Sequence, residues 1–339
     1  PIVQQPSEIV TVGSGGDFIT INEALEYLSQ RHARFWQEGY TAEIKLLSGF
    51  VMQEQVFVEG VNLGWVTITA QDSQVIIDRA SLTNETPSLG NLGFISPIRR
   101  PAFFAYKNAT LPVIGALFTM NATDQADARD GIVVSHNSKV IINRGCGIRN
   151  VGQGSPYGTP TPGGLLVASG SLAVANGGDF SGSAIGIGVY NGSIVSAEEV
   201  DLSNCSIMPA TVYSSRLYAA NANMANSGTT GLEVYNGSYV DIEAADLSKS
   251  SGMGLVVSDG CFVNAHLADI SEASGSEGVR IINGCVVNLA NSNCRKDPQT
   301  DRADDILVLG GCIVTIRGAQ GGSSLVTNEV TPNGIVFEL

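Results

Sequence analysis

The chain reads "GLEVYNGSYVDIEAADLSKSSGM" at residues 231–253, then "GLVVSDGCFVNAHLADISEASGSE" at 254–277 and "GVRIINGCVVNLANSNC" at 278–294. Aligned on their first residue, such units open at Gly131, Gly164, Gly186, Pro209, Gly231, Gly254, Gly278, Asp305 and Gly334, at spacings of 33, 22, 23, 22, 23, 24, 27 and 29 residues. A turn follows most openings: "SGS" at 169–171, "NGS" at 191–193 and 236–238, "DGC" at 259–261, "NGC" at 283–285 and "GGC" at 310–312. Around each turn apolar and variable residues alternate, which is the period of a strand. Asn-Gly between strands also signals a hairpin, but a propeller of hairpins would recur at about 40 residues per blade. One turn per shorter unit fits one coil per unit. The expected fold is all-β, a right-handed parallel β-helix (a solenoid) with an N-terminal capping α-helix.

A stack of coils places equivalent residues about 4.8 Å apart, so columns are informative. The residue after the turn glycine runs Ser171, Ser193, Ser238, Cys261, Cys285, Cys312, an inward column of small side chains. These cysteines read as buried, inert thiols, and Cys146, Cys205 and Cys294 add no metal-like spacing, so no metal and no cofactor are expected. Val189, Val212, Val234 and Val257 form one apolar inward column, and Val195, Val240, Val263, Val287 and Val314 another.

The start differs. "VTVGSGGDFITINEALEYLSQRHARFW" at 10–36 reads as a strand, a Gly-rich turn and a helix. Thr20 with Glu23 makes a capping box, and Ile21, Ala24, Leu25 and Leu28 form one apolar stripe that suits covering the open end of a solenoid. "GSGGDF" lacks the Lys-Ser/Thr pair of a phosphate loop and reads as a turn. The expected division is an N-terminal segment with strand and capping helix, 1–40, and a β-helix body, 41–339, with insertion loops near 118–130, 150–163 and 293–305.

Charge narrows the partners. Lys plus Arg number 18 against 32 Asp plus Glu, a formal net charge of −14, which disfavours nucleic acid. No apolar run approaches 18 residues, so no membrane insertion is expected. The chain opens at Pro1 without a signal-peptide pattern and reads as a mature or trimmed fragment.

"VTVGSGGDFITINEAL" followed by Gly-turn coils resembles the opening of bacteriophage tailspike proteins, and the β-helical likeness covers residues 9–339. Pectin-active β-helix enzymes share this opening. The two catalytic runs of pectin methylesterases, Gln-Asp-Thr-Leu and Gly-Asp-Phe-Ile-Phe-Gly, are absent, and "GGDF" at 177–180 continues as "SGSA". The resemblance implies a homotrimer on a virion tail or baseplate, joined through a segment absent from this chain. It also implies contact with the host surface, where such proteins bind bacterial surface polysaccharide and many depolymerise it.

The outward columns carry the site candidates. Eight residues after each opening stand Leu172, Ile194, Leu217, Tyr239, Phe262, Val286 and Ile313. A solvent-facing column of that kind needs a cover: another subunit, or the chain's own loops. Four residues after the opening stand Tyr190, Tyr213 and Tyr235, rings suited to sugar faces or to a structural stack. Twelve residues on stand Glu198, Asn221, Glu243 and His266, with Glu233, Asp241, Glu199 and Asp201 on the same coils. Glu198 and Glu243 lie two coils apart, about 9–10 Å, the separation of an inverting glycosidase pair. Asp241 and Glu243 could sit closer, and His266 could orient either. The catalytic candidates are therefore Glu198, Glu243, Asp241, Glu233 and His266, and the carbohydrate-binding ones Tyr190, Tyr213 and Tyr235. Rival acids lie in the insertions: Asp124, Asp127, Asp130, Asp297, Asp301, Asp304 and Asp305. The alternatives are a polysaccharide lyase, with a base among His266, Arg280, Arg295 and Lys296, and a non-catalytic trimeric adhesin.

Overall fold

A computed structural model of the protein describes residues 7–31, 39–78, 101–121, 129–152, 161–275, 277–295, 304–320 and 335–337. Within them the chain winds as a right-handed parallel β-helix. The strands form one ten-stranded sheet, one nine-stranded sheet and two four-stranded sheets, and every strand pair is parallel. A parallel neighbour must be reached by a crossover, and here each crossover is the rest of one coil.

One coil shows the plan. Leu232–Tyr235 lies in the ten-stranded sheet, the chain turns at 236–238, and Tyr239–Asp241 enters the nine-stranded sheet. A second corner at Ala244 leads to a third face, where Asp246 bridges Asn223 behind and Asp269 ahead. A third corner at Lys249 returns the chain to Leu255 in the next coil. Each corner carries a residue with positive φ. At the second corner these are Gly177, Glu199, Asn221, Ala244, Leu267 and Asn291 in successive coils.

The interior follows the columns. Val189, Val212, Val234 and Val257 are in direct register and fully buried. Val195, Val240, Val263, Val287 and Val314 likewise face inward. Leu217, expected in the outward column, stands between Val195 and Val240 in this inward one at 0% exposure, because the turn before it is one residue short. The outward position belongs to Arg216, paired with Ile194 and Tyr239. The same shortening moves the coil by one position at the second corner. Asn221 therefore takes the positive-φ place, and Ala220 lies between the Glu198 and Glu243 positions.

The small column solves a backbone problem. A turn N–H facing inward has no strand partner, and burying it unpaired would cost a few kcal/mol. Ser138, Ser171, Ser193 and Ser215 donate their N–H to the hydroxyl of the next coil, at 3.1, 3.2, 3.3 and 3.2 Å. Cys261 and Cys285 donate to the next thiol at 3.4 and 3.3 Å. The thiols of Cys261, Cys285 and Cys312 in turn donate to carbonyls three residues back. All six cysteines are free, and burial pushes the Cys205 thiol up to about 12.

The N-terminal helix, Ile21–Arg31, starts as its sequence requires. Glu23 N–H donates to the Thr20 hydroxyl, and the Glu23 carboxylate accepts from the Thr20 N–H. The Glu54 carboxylate takes the next two free donors, Ile21 N–H and Asn22 N–H. Ile21, Ala24, Leu25 and Leu28 join the main core beside Val12 and Leu46. The strand Glu8–Val12 before the helix pairs with Ala42–Leu46. The expected insertion loops fall largely on 122–128, 153–160 and 296–303, outside the described residues.

Leu267 holds φ 60° and is 51% exposed, a conformation that costs an L-residue roughly 1–2 kcal/mol. Leu267→Gly is expected to raise the thermal midpoint by about 1–3 °C. Leu232→Ala, a deletion inside the core, is expected to lower stability by about 2–5 kcal/mol. Scanning calorimetry on both variants checks this, and a destabilised Leu267→Gly would refute the strain at that corner.

Candidate functional site: two outward faces and the corner between them

Register sorts the candidate residues onto different faces. Tyr190, Tyr213 and Tyr235 are direct neighbours on the outer face of the ten-stranded sheet. Two residues before them, on the same face, run Gly188, Thr211 and Glu233. The tyrosines thus lie in one row, one strand spacing apart. Gly188 makes room for the first ring: a Cβ there would lie 2.7 Å from Tyr190 Cε2. Tyr190 is 8% exposed and packs with Leu166, Val133 and Phe104 further along the face, while Tyr213 and Tyr235 are half-buried.

Glu233 shares this face with the tyrosines, and not the face of Asp241 and Glu243. The turn at 236–238 separates them. Its carboxyl is held above the ordinary glutamate range because the surrounding side chains strip it of water. Hydrogen bonds from the Thr230 and Tyr235 side chains oppose that shift without cancelling it. Among the described residues it is the carboxyl with a raised pKa; those of Asp17, Asp72 and Asp179 are lowered. Glu277 lies on this sheet two coils on from Thr230, by the register of Ala210 with Leu232, Leu255 and Val279. Two strand spacings put it about 10 Å from Thr230, three residues to the side of the Glu233 row, which continues through Val256 to Arg280. Arg280 holds the Glu277 carboxylate at 2.7 Å.

The nine-stranded face carries the other acids. Asp241 accepts from Asn264 at 3.0 Å and from the Glu243 N–H at 3.2 Å, and Asn288 extends the row by donating to Asn264 at 2.9 Å. Asp241 is thereby the end of a stacked amide row. Glu243 contacts His266 Nδ1 at 3.3 Å, and His266 Nε2 meets the Asn291 amide at 3.2 Å. His266 is thus oriented by Glu243 and Asn291. Glu198 is exposed two coils from Glu243, and its neighbour Glu199 pairs with Arg144 across Gly177. Of the rival acids, Asp130 and Asp305 are 0% exposed. The side chains of Asp124, Asp127, Asp297, Asp301 and Asp304 lie outside the described residues, as does Lys296.

The outward apolar column runs Leu172, Ile194, Arg216, Tyr239, Phe262, Val286, Ile313. Phe262, Val286 and Ile313 are 42%, 38% and 39% exposed. At these three coils the chain's own described residues leave the column open.

A third row is visible in the sequence as a recurring Asp-x-Ser pattern. "DFSG" at 179–182, "DLSN" at 201–204, "NMAN" at 223–226, "DLSK" at 246–249 and "DISE" at 269–272 recur in step. They are the third-face ladder, in which Ser203, Ser248 and Ser271 N–H groups donate to Asp201, Asp246 and Asp269. Among the described residues no group of three His, Cys, Asp or Glu could hold a metal ion, and no helix is long and apolar enough to cross a membrane.

No protein-family model matches the chain, and no curated protein matches it. Among solved structures, the crystal structure of the Dettilon tailspike protein aligns with a TM-score of 0.48 at 10% sequence identity, covering 86% of this chain and 62% of that one.

Because the folded carboxyl of Glu233 titrates above its unfolded value, its ionisation opposes folding. The penalty is absent in acid, where both states are protonated, builds as pH rises past the unfolded pKa, and is complete above the folded one. Glu233→Gln is therefore expected to match the wild-type thermal midpoint near pH 4 and to exceed it near pH 8. A difference that does not change across that range would remove the desolvation of Glu233.

Proposed function

We propose that this protein binds a bacterial surface polysaccharide along the outer face of its ten-stranded sheet and cleaves it by hydrolysis, as the body of a tailspike on a phage particle. The observation that carries this reading is Glu233, a desolvated carboxyl held by two hydroxyls on a face that carries three tyrosines in register. Tyr213 and Tyr235 offer apolar area to sugar faces and hydroxyls to their edges, while Tyr190 is packed against Leu166, Val133 and Phe104 and anchors the end of the row instead of binding sugar. A carboxyl kept protonated nearer neutral pH is the donor a glycosidic oxygen needs when it leaves. Glu277 lies two coils on and three residues to the side of the Glu233 row, about 14 Å by backbone spacing, beyond the roughly 6.5–9.5 Å of an inverting pair, so Glu233 is the acid of this reading and no partner carboxylate is assigned to it. The face is an open row, which suits cutting within a polymer.

A second reading of the chemistry rests on the Glu243–His266 contact. There Glu243 and Glu198 form the pair on the nine-stranded side, or His266 acts as the base of an elimination. The binding-only reading keeps the tyrosine face and drops the chemistry.

Three copies would close the fold's exposed column. Phe262, Val286 and Ile313 form a contiguous apolar strip, and a cyclic assembly covers such a strip without growing into a fibre.

Reducing-end release from a panel of purified capsular and O-chain polysaccharides tests the chemistry. Glu233→Gln is expected to lower the rate about 10²–10⁴-fold with polysaccharide binding retained, whereas Glu243→Gln and His266→Ala keep it. The opposite pattern moves the acid to the nine-stranded side, an unsaturated product absorbing in the ultraviolet identifies a lyase, and binding without release leaves an adhesin. For the assembly, light scattering should give a three-chain mass that Phe262→Asp with Val286→Asp reduces to one chain. A single-chain mass for the unaltered protein would sink the trimer.

A further inference from the structure

The corner between the ten- and nine-stranded sheets is a ridge. Asn191-Gly192, Asn236-Gly237, Asp259-Gly260 and Asn283-Gly284 each place two consecutive residues at positive φ there. Nothing lies within 4 Å of a Cβ built on Gly192, Gly237, Gly260 or Gly284, so these turns stand out from the surface. One coil breaks the pattern. Between Tyr213 and Arg216 there are only Ser214 and Ser215, and only Ser214 has positive φ. The register is nonetheless unbroken on both sides, Tyr190 with Tyr213 and Tyr235, and Ile194 with Arg216 and Tyr239. The missing residue has therefore been taken out of the ridge alone.

A cavity of about 690 Å³ opens at that gap. The Gly192 and Gly237 turns form its ends, Ser214 and Ser215 its floor, and Arg216, Tyr218 and Tyr239 reach it from the nine-stranded face. Arg216 is exposed and makes no ion pair and no side-chain hydrogen bond among the described residues, although its column is otherwise apolar. The Tyr218 and Tyr239 ring centroids are 5.6 Å apart, and Tyr239 stacks flat on Phe262 at 5.2 Å. Such stacking holds the ring in place before any ligand arrives.

We propose that this gap is a subsite for a carboxylate-bearing sugar, a uronic acid residue of the polysaccharide. The guanidinium offers a planar fork of donors that matches a carboxylate, and a fixed tyrosine ring offers the sugar an apolar face. The volume lies within the 300–1,000 Å³ usual for small-ligand sites. The body as a whole, at a formal net charge of −14, does not attract polyanions. An unpaired cation in a gap therefore makes recognition of acid groups local. Tyr213 and Tyr235 end on the ridge beside this gap, so a chain lying on the tyrosine row can pass over the lowered corner into it. The inference rests on the polysaccharide reading above and names a class of sugar within it.

The test is calorimetric titration and saturation-transfer NMR with three acidic probes: tetragalacturonate, tetramannuronate and a hyaluronan tetrasaccharide. The carboxyl-reduced form of each serves as its neutral control. The wild type is expected to bind at least one acidic probe about tenfold or more tightly than its reduced form. Arg216→Ala removes that preference, Arg216→Lys keeps part of it, and Glu233→Gln leaves it intact. Inserting one glycine between Ser214 and Ser215 rebuilds the ridge and abolishes probe binding with Arg216 still present. Thermal midpoints confirm that each variant is folded.

Binding of none of the acidic probes overturns the subsite, and so does a preference that survives Arg216→Ala. A change of assembled mass in Arg216→Ala also overturns it, by assigning the gap to a subunit contact. Loss of cleavage in Glu233→Gln alongside an unchanged Arg216-dependent preference separates the two sites. Absence of cleavage by the wild type with that preference intact removes only the catalytic reading.

Discussion

Every coil of this protein borrows its backbone partners from the coils above and below. A strand such as Leu232–Tyr235 has no local ladder. Its N–H and C=O groups are satisfied only if the two neighbouring coils arrive in the same register. That constraint reaches the corners, where a strand ladder ends and inward N–H groups would be stranded. The serine and cysteine column answers it by passing one side-chain oxygen or sulfur per coil to the turn behind. The third face answers it with Asp and Asn side chains that catch the N–H two residues on. Corners can differ, as Ser214-Ser215 does from Asn191-Gly192, provided that the strands on either side keep their places.

The same constraint distributes function. Inward positions are fixed by volume, since each must stack on an equivalent residue about 4.8 Å away. Outward positions are fixed by nothing but their neighbours along the column, so chemistry accumulates there. On one face the result is a tyrosine row with Glu233 beside it; on the next it is a row of Asp241, Asn264 and Asn288 amide contacts. These two arrangements look alike in sequence, both being acids and amides at fixed phase. They differ in solvation. Glu233 is crowded by side chains and resists ionisation, whereas Asp241 accepts from two N–H donors and makes the end of a stabilising ladder.

The period, the coil architecture, the inward valines and the helix cap were all legible because each depends on spacing, and spacing is what a repeat displays. Thr20 and Glu23 exchange the bonds their separation implied. Two things were not legible. The first was the single residue missing after Tyr213. Counting from the coil opening carries that offset forward and puts Leu217 and Asn221 each one position off. Only the pairing of strands on both sides of the turn locates it. The second was which acids share a face. Glu233 and Glu243 are ten residues apart on one coil, but a corner intervenes, and proximity along the chain says nothing about a prism's sides. The Asp-x-Ser row was visible and is recoverable by the same alignment that found the turns.

The gap at Ser214-Ser215 has a consequence for tolerance to changes of length. The turn has one residue fewer than those of the neighbouring coils, and Tyr213, Arg216 and the columns beyond them keep their partners. Insertions and deletions at this ridge are therefore nearly silent for folding while they reshape the surface a ligand meets. In most enzymes a frame change of one residue inside a β-sheet is lethal to the fold. In this body it is an admissible step, because the corner can lengthen or shorten by one residue while the strands on either side keep their register.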